Sequence, residues 1–318
     1  MIWSFAPMEG ITGADYRRLH RELFGGADKY YSPFIALDAE GHFKLSHLRG
    51  LLPENNGQVP LIPQILTNSA HAFLTVAGQL RELGYPEVNL NAGCPSGAVT
   101  AKHKGAGMLR DLKSLDAFLD QVFSNTPVAV SVKTRMGLES TEEFPAVLEV
   151  YHRYPISELI IHARDRAGMY KSPADLAAFA KAVPSCRFPV CYNGDLFSPA
   201  DLERLCAAVP TADRVMLGRG AVTDPALFRR MRGGPSLSAE ELKQFHDRLF
   251  DGALSAGVSP VHAMARMKEL WFYMICKFPG SDRLFKAINK SRRAEDYRTA
   301  VEALFASGLF DPDAAFHQ

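Results

Sequence analysis

Eight short apolar runs, each followed by a helical stretch, constrain this chain more than any other feature of its sequence. The runs are Ile2–Ala6, Lys29–Phe34, Val59–Ile65, Glu87–Asn91, Val128–Lys133, Glu158–His162, Val190–Asn193 and Arg214–Leu217. Helical patterns fit between them at Ala70–Leu83, Leu112–Phe123, Thr141–Tyr154, Ala174–Ala182 and Pro199–Ala208. Several runs are apolar at successive positions, which suits strands buried on both faces of a parallel sheet. Eight strand-then-helix units in about 230 residues predict a (β/α)8 barrel rather than a doubly wound open sheet. The texture changes at Met231-Arg-Gly-Gly-Pro235, where Gly-Gly-Pro breaks the pattern. Beyond it Ser238-Ala-Glu-Glu241 reads as a capping box, and Val261–Phe278 and Arg293–Ala306 read as helices. A barrel domain over 1–234 and an all-helical domain over 235–318 are therefore expected.

Composition excludes several alternatives. With 47% apolar residues in 318, the chain is not disordered, and it can bury a large core. Its five cysteines lack a pairing pattern, which excludes a disulfide scaffold and points to a reducing, cytoplasmic setting; no metal-ligand spacing is present. No apolar run reaches the length of a membrane span, and no secretory signal opens the chain. A net charge of +1 does not mark a nucleic-acid binder, so any basic surface has to be local.

In a barrel, chemistry sits where the strands end. The strand ends read Ala6-Pro-Met8, Gln64, Asn91-Ala-Gly-Cys94, Lys133-Thr-Arg135, His162-Ala-Arg164, Asn193-Gly-Asp195 and Gly218-Arg-Gly220. A structural barrel has no need of so many polar side chains on one rim. Asn193-Gly194 and Gly218-Arg219-Gly220 follow the last two strands, where backbone amides and glycines often hold phosphate; ordinary turn glycines are the bland reading. Gly105-Ala-Gly107 lacks the third glycine of a dinucleotide fingerprint. Lys133 closes the fifth strand and is placed either to stabilise an anionic ring or oxygen, or to make a salt bridge. His162 and Arg164 are expected on opposite faces of their strand, with His162 a hydrogen-bond donor beside the phosphate site. Cys94 stands in a rim loop, whereas Cys186, Cys191, Cys206 and Cys276 lie in apolar contexts and read as small core residues. A loop thiol with a free pKa of about 8.5 is mostly protonated at neutral pH and serves as a nucleophile or as a general acid.

Taken together, these motifs resemble the tRNA-dihydrouridine synthases, flavin enzymes that reduce uridine in RNA. The resemblance is carried by Ala6-Pro-Met-Glu-Gly10, Leu90-Asn-Ala-Gly-Cys-Pro95, Val132-Lys-Thr-Arg135 with Gly137, His162-Ala-Arg164 with Arg166 and Tyr170, Asn193-Gly-Asp195 and Met216-Leu-Gly-Arg-Gly220. It runs from Ala6 to about Phe228 and more weakly through the helical region. It implies a flavin-binding barrel followed by a helical domain. It implies that Cys94 is the acid protonating C5 of the uracil, while hydride reaches C6 from reduced FMN, with NADPH as reductant. Asn91 would hydrogen-bond the base, and Arg164, Arg166 and Tyr170 would lie on the loop that meets substrate. Pro7 and Met8 would lie along the flavin, with Gln64, Lys133 and His162 at the isoalloxazine. Asn193, Gly194, Asp195, Gly218 and Arg219 would hold the ribityl phosphate. Relatives usually carry Asp where this chain has Asn89, a position expected to be structural.

RNA has also to be gripped. Between Arg266 and Arg298 there are nine Lys/Arg (Arg266, Lys268, Lys277, Arg283, Lys286, Lys290, Arg292, Arg293 and Arg298) against four acids, a local excess of +5. This suits contact with tRNA phosphates. The interleaved aromatics Trp271, Phe272, Tyr273 and Phe278 are expected in the core. Lys102, His103 and Lys104, just after the cysteine loop, could also reach the RNA backbone. The rival readings are a dihydrouridine synthase acting on rRNA, a flavin barrel reducing a free pyrimidine or other small molecule, and an RNA-binding module without catalysis. No obligate protein partner is implied.

Overall fold

Nine parallel strands form one sheet in a computed structural model, which describes residues 1–35, 37 and 45–316. They are β1 (Ile2–Phe5), β2 (Lys29–Tyr31), β3 (Leu61–Ile62), β4 (Gln64–Ile65), β5 (Glu87–Ala92), β6 (Ala129–Gly137), β7 (Leu159–Asp165), β8 (Val190–Asn193) and β9 (Arg214–Leu217). The order β3-β2-β1-β9-β8-β7-β6-β5-β4 begins and ends on the same stretch of chain. β3 and β4 are two halves of one extended segment divided at Pro63, which has no N–H to give to a ladder. β3 pairs with β2, and β4 pairs with β5. The carbonyl of Pro63 accepts from Asn89 N–H at 2.8 Å, and that of Gln64 from Ile35 N–H at 2.8 Å. Nine strands thus make the eight-membered ring that the sequence predicts.

All eight expected runs are strands, but two extend further than their apolar stretches. β6 runs past Lys133 to Gly137 and β7 past His162 to Asp165, paired in parallel with a register shift between Arg135 and Gly137. The apolar pattern ends early because the inward positions turn polar: Arg135, His162 and Arg164 are buried there, while Met136 and Ala163 between them keep the outer face apolar. His162 and Arg164 share a face. The expectation that they diverge was wrong, because residues two apart in a strand point the same way.

The chain divides into two compact units: Met1–Pro7, Asp28–Asp195 and Glu203–Leu217 form one, and Met8–Ala27, Leu196–Leu202 and Gly218–Gln318 the other. In the first unit the inward face of the barrel is layered. Glu158, just before β7, bonds Tyr31 of β2 at 3.0 Å and pairs with Lys29 at 3.0 Å and Arg214 at 3.4 Å. Three strands lie between β2 and β7 in the sheet, so these bonds cross the interior. One inward step along, Ala6, Tyr31, Ile62, Ile160, Cys191 and Met216 pack as an apolar plug. The helices are capped as their sequences dictate. Ser69 Oγ accepts from Ala72 N–H to open Ala70–Glu82, and Asp111 accepts from Lys113 and Ser114 N–H to open Leu112–Asn125.

The second unit is helical, with Ala14–Leu23, Ala239–Ser255, Pro260–Met274, Asp282–Lys290 and Ala294–Phe305 as its longer helices. The expected capping box is present: Glu241 N–H donates to Ser238 Oγ at 3.1 Å, and Ser238 N–H to Glu241 Oε2 at 2.9 Å. Its core is built on Trp271, whose indole N–H donates to Tyr297 Oη at 2.9 Å. That hydroxyl lies 2.7 Å from His246 Nε2, and His246 Nδ1 lies 2.8 Å from Asp247. Burial holds His246 below its usual pKa, so it is neutral: Nε2 accepts from Tyr297 and Nδ1–H donates to Asp247. Among the described residues, no helix is long and apolar enough to cross a membrane.

Candidate active site

A chain of amides on the inward faces of β4, β5 and β6 ends at Cys94. Asn89 Nδ2 donates to Ser131 Oγ at 3.0 Å, and Gln64 Nε2 to Asn89 Oδ1 at 2.8 Å. Asn91 Nδ2 then donates to Gln64 Oε1 at 2.7 Å. The same Asn91 turns its Oδ1 outward to accept from Gly93 N–H at 3.1 Å and Cys94 N–H at 2.9 Å. The amide orientations follow from this network, since every bond in it needs one donor and one acceptor. Asn91 therefore fixes the backbone that carries the thiol, and one of its two N–H bonds is left over. Asn89, fully buried, is structural, as expected of its position.

Tight packing supports the cysteine loop from the other side. Gly105 takes φ +58, and a side chain built there would come 2.9 Å from Cys94 Cβ. At Gly107 an added carbon would meet the Thr100 carbonyl oxygen at 2.7 Å. These glycines serve close approach of backbone rather than a nucleotide. Cys94 is half-buried, whereas Lys102 and His103 in the following turn are exposed.

Lys133 points into the barrel and donates to Asn193 Oδ1 at 2.8 Å; Asn193 Nδ2 donates in turn to the Met216 carbonyl at 2.9 Å. Lys133 makes no ion pair among the described residues. Desolvation, reinforced by the nearby Arg135 charge, brings its ammonium down to a pKa of about 8. An amine in this state gains from any anion that arrives.

Arg135, which the sequence reading treated only as part of a motif, is fully buried and ties two loops together. Its Nε donates to Gly93 O at 3.0 Å, and its Nη1 to Asp165 O at 2.6 Å and Met169 O at 3.0 Å. Its Nη2 is buried without a hydrogen-bond partner among the described residues. Its hydrogen-bond acceptors among the described residues are carbonyl oxygens, so no charge pattern in the sequence announces it. Met169 adopts φ +50, an uncommon backbone for a residue with a side chain. Tyr170, 38% exposed, lies 5.4 Å from the Arg135 guanidinium carbon and 5.8 Å from that of Arg164, and so covers both.

Arg164 is only 3% exposed and is engaged on every side by its own unit. Nε donates to Ser172 O at 2.9 Å, Nη2 to Asp195 Oδ2 at 2.5 Å, and Nη1 meets His162 Nε2 at 3.0 Å. A guanidinium can only donate, so His162 Nε2 accepts and the ring proton sits on Nδ1. Asp195 also accepts from Ala174 N–H at 2.9 Å. Arg166 reaches Thr100 Oγ1 at 3.3 Å, just beyond the cysteine loop.

Two of the glycines expected around phosphate have a nearer explanation. An added carbon at Gly194 would fall 2.2 Å from the Tyr192 hydroxyl, and one at Gly220 would fall 2.1 Å from the Leu196 carbonyl oxygen. Pro7 belongs to the barrel unit; Met8, Gly218 and Arg219 belong to the helical unit. Met8 N–H donates to Thr12 Oγ1 at 2.8 Å. Gly218 caps the short helix that Arg219 opens, and the Arg219 guanidinium carbon stands 5.6 Å from the Phe197 ring centroid. Among the described residues, no group of three or more His, Cys, Asp or Glu could hold a metal ion.

In the helical unit the expected basic cluster divides. Lys277 is 2% exposed, Lys268 bonds Ser291 O at 2.6 Å, Arg293 pairs with Glu295 at 2.7 Å and Arg298 with Asp251 at 2.5 Å. Arg283, Lys286 and Lys290 instead form one exposed stripe on helix Asp282–Lys290, followed by exposed Arg292, and none has an ion pair among the described residues. The aromatics also divide. Trp271 and Phe278 are in the core as expected, but Phe272 is 56% exposed.

The sequence model of the family described as dihydrouridine synthase (Dus) matches residues 4–251. A tRNA-dihydrouridine(16) synthase of Ralstonia nicotianae is 30% identical over 315 residues, covering 95% of each chain. A tRNA-dihydrouridine synthase B of Pseudomonas syringae pathovar tomato is 26% identical over 316 residues, 97% of this chain and 92% of the relative. Among solved structures, the old yellow enzyme homologue from Zymomonas mobilis matches in fold alone, with a TM-score of 0.53 at 12% identity over 74% of this chain and 89% of that one. With the family model matching most of its length, a barrel of eight strand positions and a cysteine held at its rim, the chain belongs to the dihydrouridine synthase family.

Proposed function

We propose that the chain reduces uridine 16 of tRNA to 5,6-dihydrouridine, using bound FMN, NADPH as reductant and Cys94 as proton donor. One observation carries this reading: the Cys94 loop is locked by Asn91 Oδ1 and by Arg135, on the same strands that present Lys133, a desolvated amine with no carboxylate partner among the described residues. The donor set fits a flavin ring, which is planar, bears carbonyl oxygens and becomes anionic when reduced. Lys133, the Nδ1–H of His162 and the amide of Gln64 are groups that such a ring's edge would meet. Gly218 and Arg219 are the residues that would hold a ribityl phosphate, as the family resemblance implies. When bound, the flavin supplies the reducing equivalents.

The protein's own share is orientation and a proton. The Cys94 thiol gives its proton to C5 of the uracil as a general acid. Asn91 presents its remaining N–H to the base while holding the loop still. Tyr170 offers the exposed face of its ring beside the base, and Arg166 braces the loop through Thr100. Arg164 and Asp195 act through others: they fix the tautomer of His162 and the turn at Ala174, and do not bind substrate or phosphate themselves. The stripe Arg283–Lys286–Lys290 meets tRNA phosphates, which a free pyrimidine would not require.

The test is nucleoside mass spectrometry of individual tRNAs and of rRNA from a strain lacking this chain, complemented with the wild type or Cys94→Ala. Dihydrouridine should vanish at position 16, return with the wild type and fail to return with the variant. Loss at another tRNA position refutes the position only. Loss in rRNA, or no loss in a strain without a second synthase, refutes the reading.

A further inference from the structure

The geometry points to the strap Asp311–Phe316 as a positioning element for Arg219, and hence for the phosphate of the bound flavin; this rests on the proposed role of Arg219. The strap is anchored by charge in the interior of the helical unit. Asp224, 1% exposed, pairs with Arg230 at 2.5 Å and with Lys277 at 3.5 Å, so two cations share one buried carboxylate. The strap supplies what is missing. Lys277 Nζ donates to Pro312 O at 2.6 Å and Ala314 O at 3.0 Å, and Arg230 Nη1 to Pro312 O at 3.0 Å. Arg230 also pairs with Asp313, and Asp311 N–H donates to Lys277 O at 2.8 Å. Detaching the strap would leave a buried ammonium short of acceptors, which is costly.

The anchored strap delivers one ring. Phe316 stacks on Phe197 at 5.8 Å and 19°, and on Tyr273 at 5.6 Å and 22°. Arg219 stands over the Phe197 ring. Arg219, Phe197, Phe316 and Tyr273 are thus linked in succession, and Phe316 stacks on the ring that carries the guanidinium. Phe197 lies on the loop after β8, and its backbone N–H is tied to Asp201 at 2.8 Å. Loss of Phe316 would free the Phe197 ring to turn, and Arg219 would lose the surface that restricts its side chain.

The experiment titrates flavin-free protein with FMN and with riboflavin, which lacks the phosphate, following the quenching of flavin fluorescence. Phe316→Ala should weaken FMN about three- to tenfold and leave riboflavin unchanged, and Lys277→Met should do the same if it folds. Arg219→Ala should abolish the preference for FMN, and adding Phe316→Ala to it should have no further effect. An unchanged FMN-to-riboflavin ratio in Phe316→Ala, or an equal loss for both flavins, overturns the role of the strap. An unchanged ratio in Arg219→Ala overturns instead the reading on which it rests.

Discussion

The floor and the mouth of the barrel both bury charge, and they treat it oppositely. At the floor, Glu158 is closed in by Lys29, Arg214 and the Tyr31 hydroxyl, so its charge is paired from within. At the mouth, among the described residues, Lys133 bonds a neutral amide and makes no ion pair, and Arg135 Nη2 has no hydrogen-bond partner. Two inward steps along the same strands separate Glu158 from His162 and Ser131 from Arg135. Charges paired with one another rigidify a fold, whereas charges held without a counter-charge keep affinity for something that arrives from outside. The difference teaches where to expect stability and where to expect chemistry.

The sharpest way to break this comparison is to cross the two sites. Cys94→Ala should lower the rate of uridine reduction about a hundredfold or more while leaving flavin affinity and melting temperature unchanged. Glu158→Gln should do the reverse. It leaves Lys29 and Arg214 without their carboxylate and should cost about 2–3 kcal/mol in urea unfolding, below the fully buried case because both cations are partly exposed. Its turnover well below the melting temperature should match wild type. If Glu158→Gln loses turnover and keeps stability, floor and mouth are not distinct.

Smaller effects sharpen the contrast. Replacing Arg283, Lys286 and Lys290 together with Ala should raise the KM for tRNA about tenfold near physiological salt. The slope of log affinity against log salt should shrink by about two units, at roughly 0.7–0.9 per lost phosphate contact. A pH series on flavin binding tests Lys133. Its pKa of about 8 lies below the ordinary 10.5, so in the folded chain the ammonium is lost first. Stability therefore rises with pH between those values, as the penalty of burying the charge is relieved. Affinity for an anionic ligand falls as pH rises through the folded value of about 8. Wild type should lose affinity for reduced FMN several-fold from pH 7 to 9, and Lys133→Arg should not.

Much of this was legible in the sequence, for a physical reason. A strand covered on both faces must be apolar at successive positions, and that signature located all eight barrel strands. It failed where the inward face becomes functional, at Arg135 and Arg164, because side chains that serve the site break the pattern that reveals the strand. Helix Asp282–Lys290 was missed because only Ile288 is buried in it. Cys94, Asn91 and Lys133 were visible as polar residues at strand ends. Arg135 stood among the same strand ends, but its bracing role was not legible, because it donates to carbonyl oxygens, which every residue carries. The family resemblance puts Asp195 at the phosphate, whereas the guanidinium of Arg164, which claims it, is adjacent only in three dimensions.

The division of one strand at Pro63 has a consequence for how this barrel fails. A ring is only as tight as its poorest joint, and here the joint is two residues of ladder on either side of a residue without an amide hydrogen. Gln64 sits on that joint and holds Asn91, which holds the cysteine loop. Local opening at the joint therefore reaches the thiol before the rest of the barrel is disturbed. Warming should slacken the catalytic loop ahead of global melting, so that inactivation precedes unfolding, and amide exchange at Gln64 and Asn89 should report it first.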